Sequence, residues 1–113
     1  RQVGIFAAAG LYALDHHMRR LADDHVHAGL IARRLAQSAR VEVDPDRVRT
    51  NIVVFGLRSG AADAATVVSR ARERGVKLVA FGPRTVRAVT HLDVTREACV
   101  QAADVLVDVI ETD

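Results

Sequence analysis

Tryptophan is absent from this 113-residue sequence, and the other aromatic side chains are few, with three phenylalanines and one tyrosine. The core therefore has to be built mainly from small aliphatic side chains such as alanine and valine. The single cysteine, Cys99, excludes an internal disulfide, and its apolar helical setting predicts a buried thiol in a reducing compartment, by default the cytoplasm. Long runs of one charge are also absent, because sixteen basic and fourteen acidic residues are interspersed. This balance predicts neither a nucleic-acid partner nor a membrane partner.

The residues that are present fit one globular domain. Half of them are apolar and 27% are charged, and the length allows a single core. The first fifteen residues, RQVGIFAAAGLYALD, partly imitate a secretory signal, but a helical pattern continues through them without a break. Because the sequence starts at Arg1 and not at methionine, we expect it to be part of a longer protein.

An almost unbroken helical pattern runs from Gln2 to Ser38. Its apolar positions recur three and four residues apart, which predicts one long amphipathic helix or two helices end to end, with Gly10 and Gly29 as candidate bends. The stripe consists of Leu14, Met18, Leu21, His25, Ala28, Ala32 and Leu35. Residues before Asp15 are apolar on all sides, which predicts an interface with a partner chain or with further sequence.

Strand and helix signals then alternate. Pro45 between two aspartates predicts a tight turn after a short strand. Residues 51–57, NIVVFGL, are typical of a strand buried on both faces. Ser59 or Asp63 is expected to cap the following helix, and Gly75 is expected to end it.

The last third of the chain predicts two strands and a helix. A turn at Gly82 lets residues 76–82 and 84–92 pair antiparallel. Thr95 is expected to cap the last helix. The apolar positions expected to face the sheet are Ala98, Ala102, Val105, Leu106 and Val109.

The predicted fold class is α+β, with long N-terminal helices followed by a small sheet that has helices packed on one face. We divide the chain into connecting and interface helices, residues 1–38, and a small α+β domain, residues 39–113. Within that domain the stretch RTVRAVTHLDV, residues 84–94, raises a question, because an arginine lies in the middle of a predicted strand. Strand alternation places Val86, Ala88, Thr90 and Leu92 on one face and Arg87, Val89 and His91 on the other. On this pattern alone, Arg87 is either a solvated sheet residue or the wall of a site that requires a planar cation.

Other kinds of site find little support in the sequence. Four of the five histidines, His16, His17, His25 and His27, lie within twelve residues, but no two are three or four apart, as a helical metal site requires. Cys99 lacks a nucleophile motif, and Gly60 stands alone where a phosphate loop has several glycines. Asp44 and Asp46 flank the turn proline and are explained by the turn.

Two stretches, RQVGIFAAAGLYALDHH and VRAVTHLDVT, strongly resemble the C-terminal part of threonine aldolases, pyridoxal-phosphate enzymes of the aspartate-aminotransferase fold type, fold type I. The similarity follows the chain in order through the LA-DH helix, the TNIV-F strand, the RGV turn and the RAVTHLDV strand. The resemblance implies the small C-terminal domain of a lyase that splits L-threonine or L-allo-threonine into glycine and acetaldehyde. It also implies a homo-oligomer, an amino acid as small-molecule substrate, and pyridoxal 5'-phosphate as cofactor.

The resemblance further implies that Arg87 binds the α-carboxylate of the substrate and that Arg1 lies near the cofactor phosphate. A guanidinium suits the first role because its planar fork matches a carboxylate with two parallel hydrogen bonds. The Schiff-base lysine of the family has no counterpart, since the only lysine is Lys77, at the start of a predicted strand. We therefore expect these residues alone to be inactive and to bind no cofactor covalently. The alternative is a stand-alone, non-catalytic α+β module that binds a small acidic ligand or a partner protein.

Overall fold

The structure, a computed structural model, describes all residues from 1 to 113. Four helices and four short strands follow one another along the chain, and the predicted α+β class is confirmed. The helices are α1 (Val3–His16), α2 (Leu21–Leu35), α3 (Ala64–Glu73) and α4 (Arg96–Glu111), and the strands are β1 (Val41–Glu42), β2 (Ile52–Leu57), β3 (Val79–Ala80) and β4 (Thr85–Val89).

The strands form one antiparallel sheet in the order β1-β2-β4-β3. In the central pair, Ile52 of β2 lies opposite Val89 of β4, and Val54 lies opposite Arg87. On the other side of β4, the predicted antiparallel partner is confirmed but is short, because only two residues of β3 pair. Arg87 therefore lies on an inner strand with a neighbour on each side.

Only one face of the sheet is covered. Along β2, Val53, Phe55 and Leu57 are buried, whereas Ile52 and Val54 are exposed. The prediction that residues 51–57 are buried on both faces is therefore wrong for these residues. Helices α2, α3 and α4 all lie against the side that carries Val53 and Phe55, so no element covers the opposite side.

The covered face and the three helices enclose one core of small aliphatic residues. Its members are Ala28, Ile31, Ala32, Leu35, Val41, Val53, Phe55, Leu57, Ala64, Val67, Ala71, Val86, Ala88, Cys99, Ala103, Leu106, Val109 and Ile110. Helix α2 contributes four of them and packs against α4, so the core extends across residue 38. The division into residues 1–38 and 39–113 stays a prediction.

Residues 2–38, for which the sequence predicts a helical pattern, form two helices separated by a turn at residues 17–20. Neither candidate bend, Gly10 or Gly29, interrupts its helix. The predicted stripe is correct only in α2, where Ala28, Ala32 and Leu35 are buried. The stripe members before Ala28 are exposed: Leu14 in α1, Met18 in the turn, and Leu21 and His25 in the first part of α2.

The residues that begin and end helices α3 and α4 agree well with those predicted from the sequence. The side chain of Asp63 accepts a hydrogen bond from the Thr66 N–H at 2.8 Å and caps α3, and Thr95 caps α4 in the same way. Gly75 follows α3 with a φ of +84°, a left-handed conformation that favours glycine. In α4 the buried positions differ from most of those predicted and are Cys99, Ala103, Leu106, Val109 and Ile110.

Helix α1 has no buried residue, although it is the most apolar helix of the chain. Val3, Ile5 and Phe6 are at least 70% exposed. The chain is correspondingly elongated, with extents of 51 × 29 × 23 Å. None of the helices combines the length and apolar composition needed to cross a bilayer.

Candidate functional site

The uncovered side of the sheet, which we call the open face, is a mainly apolar surface. Its apolar side chains are Ile52, Val54, Val79, Phe81 and Val89, and its charged side chains are Arg87 near the middle and Glu42 of β1 at the edge. The five apolar side chains are between 40% and 65% exposed. Because residues paired across a sheet project from the same face, the register alone brings these side chains together.

Arg87 is half-buried and has no polar partner on this face. Its immediate neighbours in the sheet are Val54 on β2 and Val79 on β3. Its Nε is buried and takes part in no hydrogen bond, and no carboxylate forms an ion pair with its guanidinium. The guanidinium carbon lies 5.7 Å from the centre of the Phe81 ring, within cation–π range. A buried, unpaired donor of this kind is rare in folded proteins and calls for an explanation.

Arg84 holds the N-terminal end of β4, the strand that carries Arg87. Arg84 donates from Nε to the carbonyl of Leu57 at 2.7 Å and from its terminal nitrogen to the carbonyls of Ala61 and Arg58. The Leu57 N–H donates in return to the Arg84 carbonyl at 2.8 Å. Two arginines three residues apart thus differ, since the Arg84 side chain donates three hydrogen bonds and the Arg87 side chain donates none.

The far end of β4 is held by Thr90, which is buried. Its hydroxyl donates to the carbonyl of Asp24 in α2 at 2.7 Å, and the side-chain amide of Asn51 donates to its carbonyl at 2.8 Å. Asp24 is itself buried and forms two hydrogen bonds with Arg20, at 2.9 and 3.2 Å. Arg87 therefore projects from a rigid strand, which is the arrangement that a binding site requires.

This arrangement can bind an anion. A guanidinium among apolar side chains interacts more strongly with a carboxylate than one in water, because the local dielectric constant is lower. The Nε of Arg87 is shielded from solvent although the residue as a whole is only half-buried, and its binding role stays a prediction.

The remaining residues singled out from the sequence lie apart from this face or are exposed. Arg1 is exposed at the start of the chain, and Lys77 is exposed in the segment before β3. His91 Nδ1 lies 3.9 Å from an Asp93 carboxylate oxygen, and both side chains are exposed. The role of Arg1 near a phosphate stays a prediction, and His91 has only a structural contact.

Other reactive side chains are accounted for by the fold. Histidine, cysteine and acidic side chains do not come together in any group of three or more that could bind a metal ion. Cys99 is 1% exposed, and burial raises the pKa of its thiol, with a further increase from the negative charge of Asp24. Hydrogen bonds from Thr66 hold the pKa of the Asp63 carboxyl below its usual range.

A groove of about 770 Å³ lies between α4, the segment 74–78 and the end of β4. It shares Val89 with the open face, but Arg87 is not among its lining residues. Lys77, His91 and Cys99 line it, but none of the buried unpaired polar atoms of the chain belongs to it. We therefore place the candidate site on the open face, where an unsatisfied donor requires a partner, and not in the groove.

Comparison with known proteins identifies the family of this chain. The family model described as Beta-eliminating lyase matches residues 1–58, which are 58 of the 113 residues. The chain belongs to the beta-eliminating lyase family. Low-specificity L-threonine aldolase from Escherichia coli strain K12 is 40% identical to it over 103 residues. Low-specificity L-threonine aldolase 1 from Arabidopsis thaliana is 30% identical over 96 residues. The resemblance drawn from the sequence motifs is confirmed.

These matches cover most of this chain but a minor part of each relative. The alignment with the Escherichia coli protein includes 91% of this chain and 29% of the relative, and the Arabidopsis alignment includes 84% and 27%. The chain thus spans somewhat less than a third of the length of these family relatives. A solved structure of MppP soaked with the product 2-ketoarginine shares the fold, with a TM-score of 0.68 at 20% identity over 88% of this chain and 30% of that one.

Proposed function

We propose that residues 1–113 supply the carboxylate-binding arginine of a pyridoxal-phosphate-dependent aldolase that splits L-threonine or L-allo-threonine into glycine and acetaldehyde. The reaction class is supported by the relatives named low-specificity L-threonine aldolase. The residue assignment is carried by one observation, the buried Nε–H of Arg87 that has no partner within the chain.

A bound carboxylate would resolve this unsatisfied donor. Arginine presents two parallel N–H groups to a carboxylate, and such charge-assisted bonds are roughly twice as strong as neutral ones. The same contact fixes the orientation of the amino acid, and orientation determines which bond at its α-carbon is broken. Val54 and Val79 lie on either side of Arg87 in the sheet and make its surroundings less polar than water.

The residues present do not fit covalent attachment of pyridoxal 5'-phosphate. A Schiff-base lysine is activated by an enclosed or positively charged setting, whereas Lys77 is exposed in a connecting segment. When bound, the cofactor supplies an electron sink for the cleavage, but no step of the reaction is assigned to Lys77. We propose that Arg1 contributes to the phosphate site and that the covalent lysine belongs to another part of the enzyme.

The test is Arg87→Lys in the complete enzyme, with Arg96→Lys as the matched control. Arg96 is an exposed arginine without a side-chain hydrogen bond, at the start of α4. Arg87→Lys keeps the charge but loses the planar fork, so we expect an increase of about ten- to hundred-fold in the KM for L-threonine and a large loss of turnover. The cofactor absorbance should be unchanged, and Arg96→Lys should behave like the parent enzyme.

Unchanged kinetics of Arg87→Lys would contradict the assignment.

A second measurement addresses the cofactor: the 113-residue chain is mixed with pyridoxal 5'-phosphate, and an imine absorbance is sought. We expect no stable imine and no cleavage of threonine. A stable imine that is lost in Lys77→Arg would contradict this expectation.

Three further properties belong to the same proposal. The exposed apolar surface of α1 supports a contact with another subunit or with another part of the enzyme, and hence a homo-oligomer. The cytoplasmic location and the division at residue 38 are proposed with it. The alternative is a stand-alone, non-catalytic module that binds a small acidic ligand or a partner protein through its apolar first helix, and it assigns Arg87 no role in turnover.

A further inference from the structure

We infer that Phe81 is a positioning residue, whose ring holds the guanidinium of Arg87 in the orientation that receives a carboxylate. The inference rests on the proposed function of Arg87 and adds a second residue to its site. Neither the family resemblance nor the sequence motifs give Phe81 a role.

The sheet register explains how the two side chains meet. Val79 lies opposite Arg87. Phe81, two residues after Val79, is therefore on the same face of the sheet and is the diagonal neighbour of Arg87. The Phe81 N–H donates to the Thr85 carbonyl at 2.8 Å, which continues the pairing beyond β3. Diagonal neighbours are within reach of each other when one side chain is aromatic and the other is long.

Nothing else on the open face fixes the charged end of Arg87. The side chain has no hydrogen bond and no ion pair, and its direct neighbours Val54 and Val79 offer only apolar contact. The Phe81 ring, 5.7 Å from the guanidinium carbon, is therefore the group in contact with the cation whose interaction depends on where the cation lies. A ring that interacts with the face of a guanidinium leaves the N–H groups at its edge free for a ligand.

Core packing does not explain why a large aromatic residue occupies this position. Phe81 is 65% exposed and is not part of the core. Gly82 follows it with a φ of +147°, a backbone conformation that side chains other than glycine rarely adopt, and Pro83 completes the turn. This rigid turn fixes the backbone of Phe81 beside Arg87.

The experiment compares Phe81→Leu, which removes the ring, with Phe81→Tyr, which keeps it. In the complete enzyme we expect Phe81→Leu to raise the KM for L-threonine by about two- to five-fold, the range of an exposed cation–π contact. Phe81→Tyr should restore the parent value. In Arg87→Lys, the further change Phe81→Leu should have little effect, because the ring acts through the arginine.

A spectroscopic measurement on the 113-residue chain makes the outcome independent of turnover. The Arg87 Nε–H resonance, assigned by its loss in Arg87→Lys, should move in Phe81→Leu and return in Phe81→Tyr, whereas the Arg84 resonance should not move. A KM in Phe81→Leu equal to that of the parent, while Arg87→Lys weakens binding, would overturn the role of Phe81 and leave the proposed function intact. An unchanged KM in Arg87→Lys would overturn both.

Discussion

Replacing Arg87 with methionine should not destabilise the protein, although Arg87 projects from a central strand. Methionine keeps the apolar part of the side chain and removes the buried Nε–H, which has no partner. An unsatisfied buried donor costs about 1–3 kcal/mol. The cation–π contact with Phe81 that is lost at the same time is worth about 0.5–1 kcal/mol. The free energy of unfolding of Arg87→Met should therefore be unchanged or higher by up to about 2.5 kcal/mol.

Arg84→Met is the matched control, three residues away on the same segment. Arg84 donates hydrogen bonds to the carbonyls of Leu57, Arg58 and Ala61, so its replacement leaves these acceptors without their charged donor. We expect a loss of about 1–3 kcal/mol.

The assay is urea unfolding of the 113-residue chain followed by far-ultraviolet circular dichroism. With a slope of about 1–3 kcal/mol per molar urea, the two variants should move the midpoint in opposite directions or by clearly different amounts. A loss of more than about 1 kcal/mol in Arg87→Met, as in Arg84→Met, would refute the reasoning, because Arg87 would then be a structural residue.

Three further predictions concern the scaffold. Phe55 is 1% exposed in the core, so Phe55→Ala should lower the free energy of unfolding, measured by urea unfolding, by about 3–5 kcal/mol. Cys99 should not react with a thiol reagent in the native chain and should react fully in guanidinium chloride. Rapid labelling of the native chain would show that the Cys99 thiol is accessible to solvent. Asp63 has a lowered pKa in the folded chain, so its contribution to stability is present above its unfolded pKa and is lost as the pH falls through its folded pKa. The thermal midpoint of the parent should therefore fall more steeply on acidification than that of Asp63→Asn, and equal slopes would contradict this.

Features set by neighbouring residues could be predicted from the sequence. The caps at Asp63 and Thr95 depend on a side chain and an amide three residues apart, and Gly75 depends only on its own φ angle. The position of Arg87 on the face opposite Val86 and Ala88 follows from strand alternation.

Features set by packing could not be predicted in this way. The run NIVVFGL is apolar at every position except its first and sixth residues, so its sequence is the same whether one face or both faces are covered. Only the placement of the three helices shows that one face is open. The contact of Phe81 with Arg87 depends on the register of β3 against β4, which the turn residues suggest but do not fix. The strand pattern draws attention to Arg87 and the family resemblance implies its role, whereas its unpaired Nε–H is visible only in three dimensions.

The most direct test of the site is whether Arg87 recognises the carboxylate itself. The dissociation constants of L-threonine and of 1-amino-2-propanol, which lacks the carboxylate, are measured in the complete enzyme and in Arg87→Met. We predict that the parent prefers L-threonine and that the preference falls by about ten- to hundred-fold in Arg87→Met, mainly through weaker binding of L-threonine. An equal preference in both proteins would show that another group binds the carboxylate.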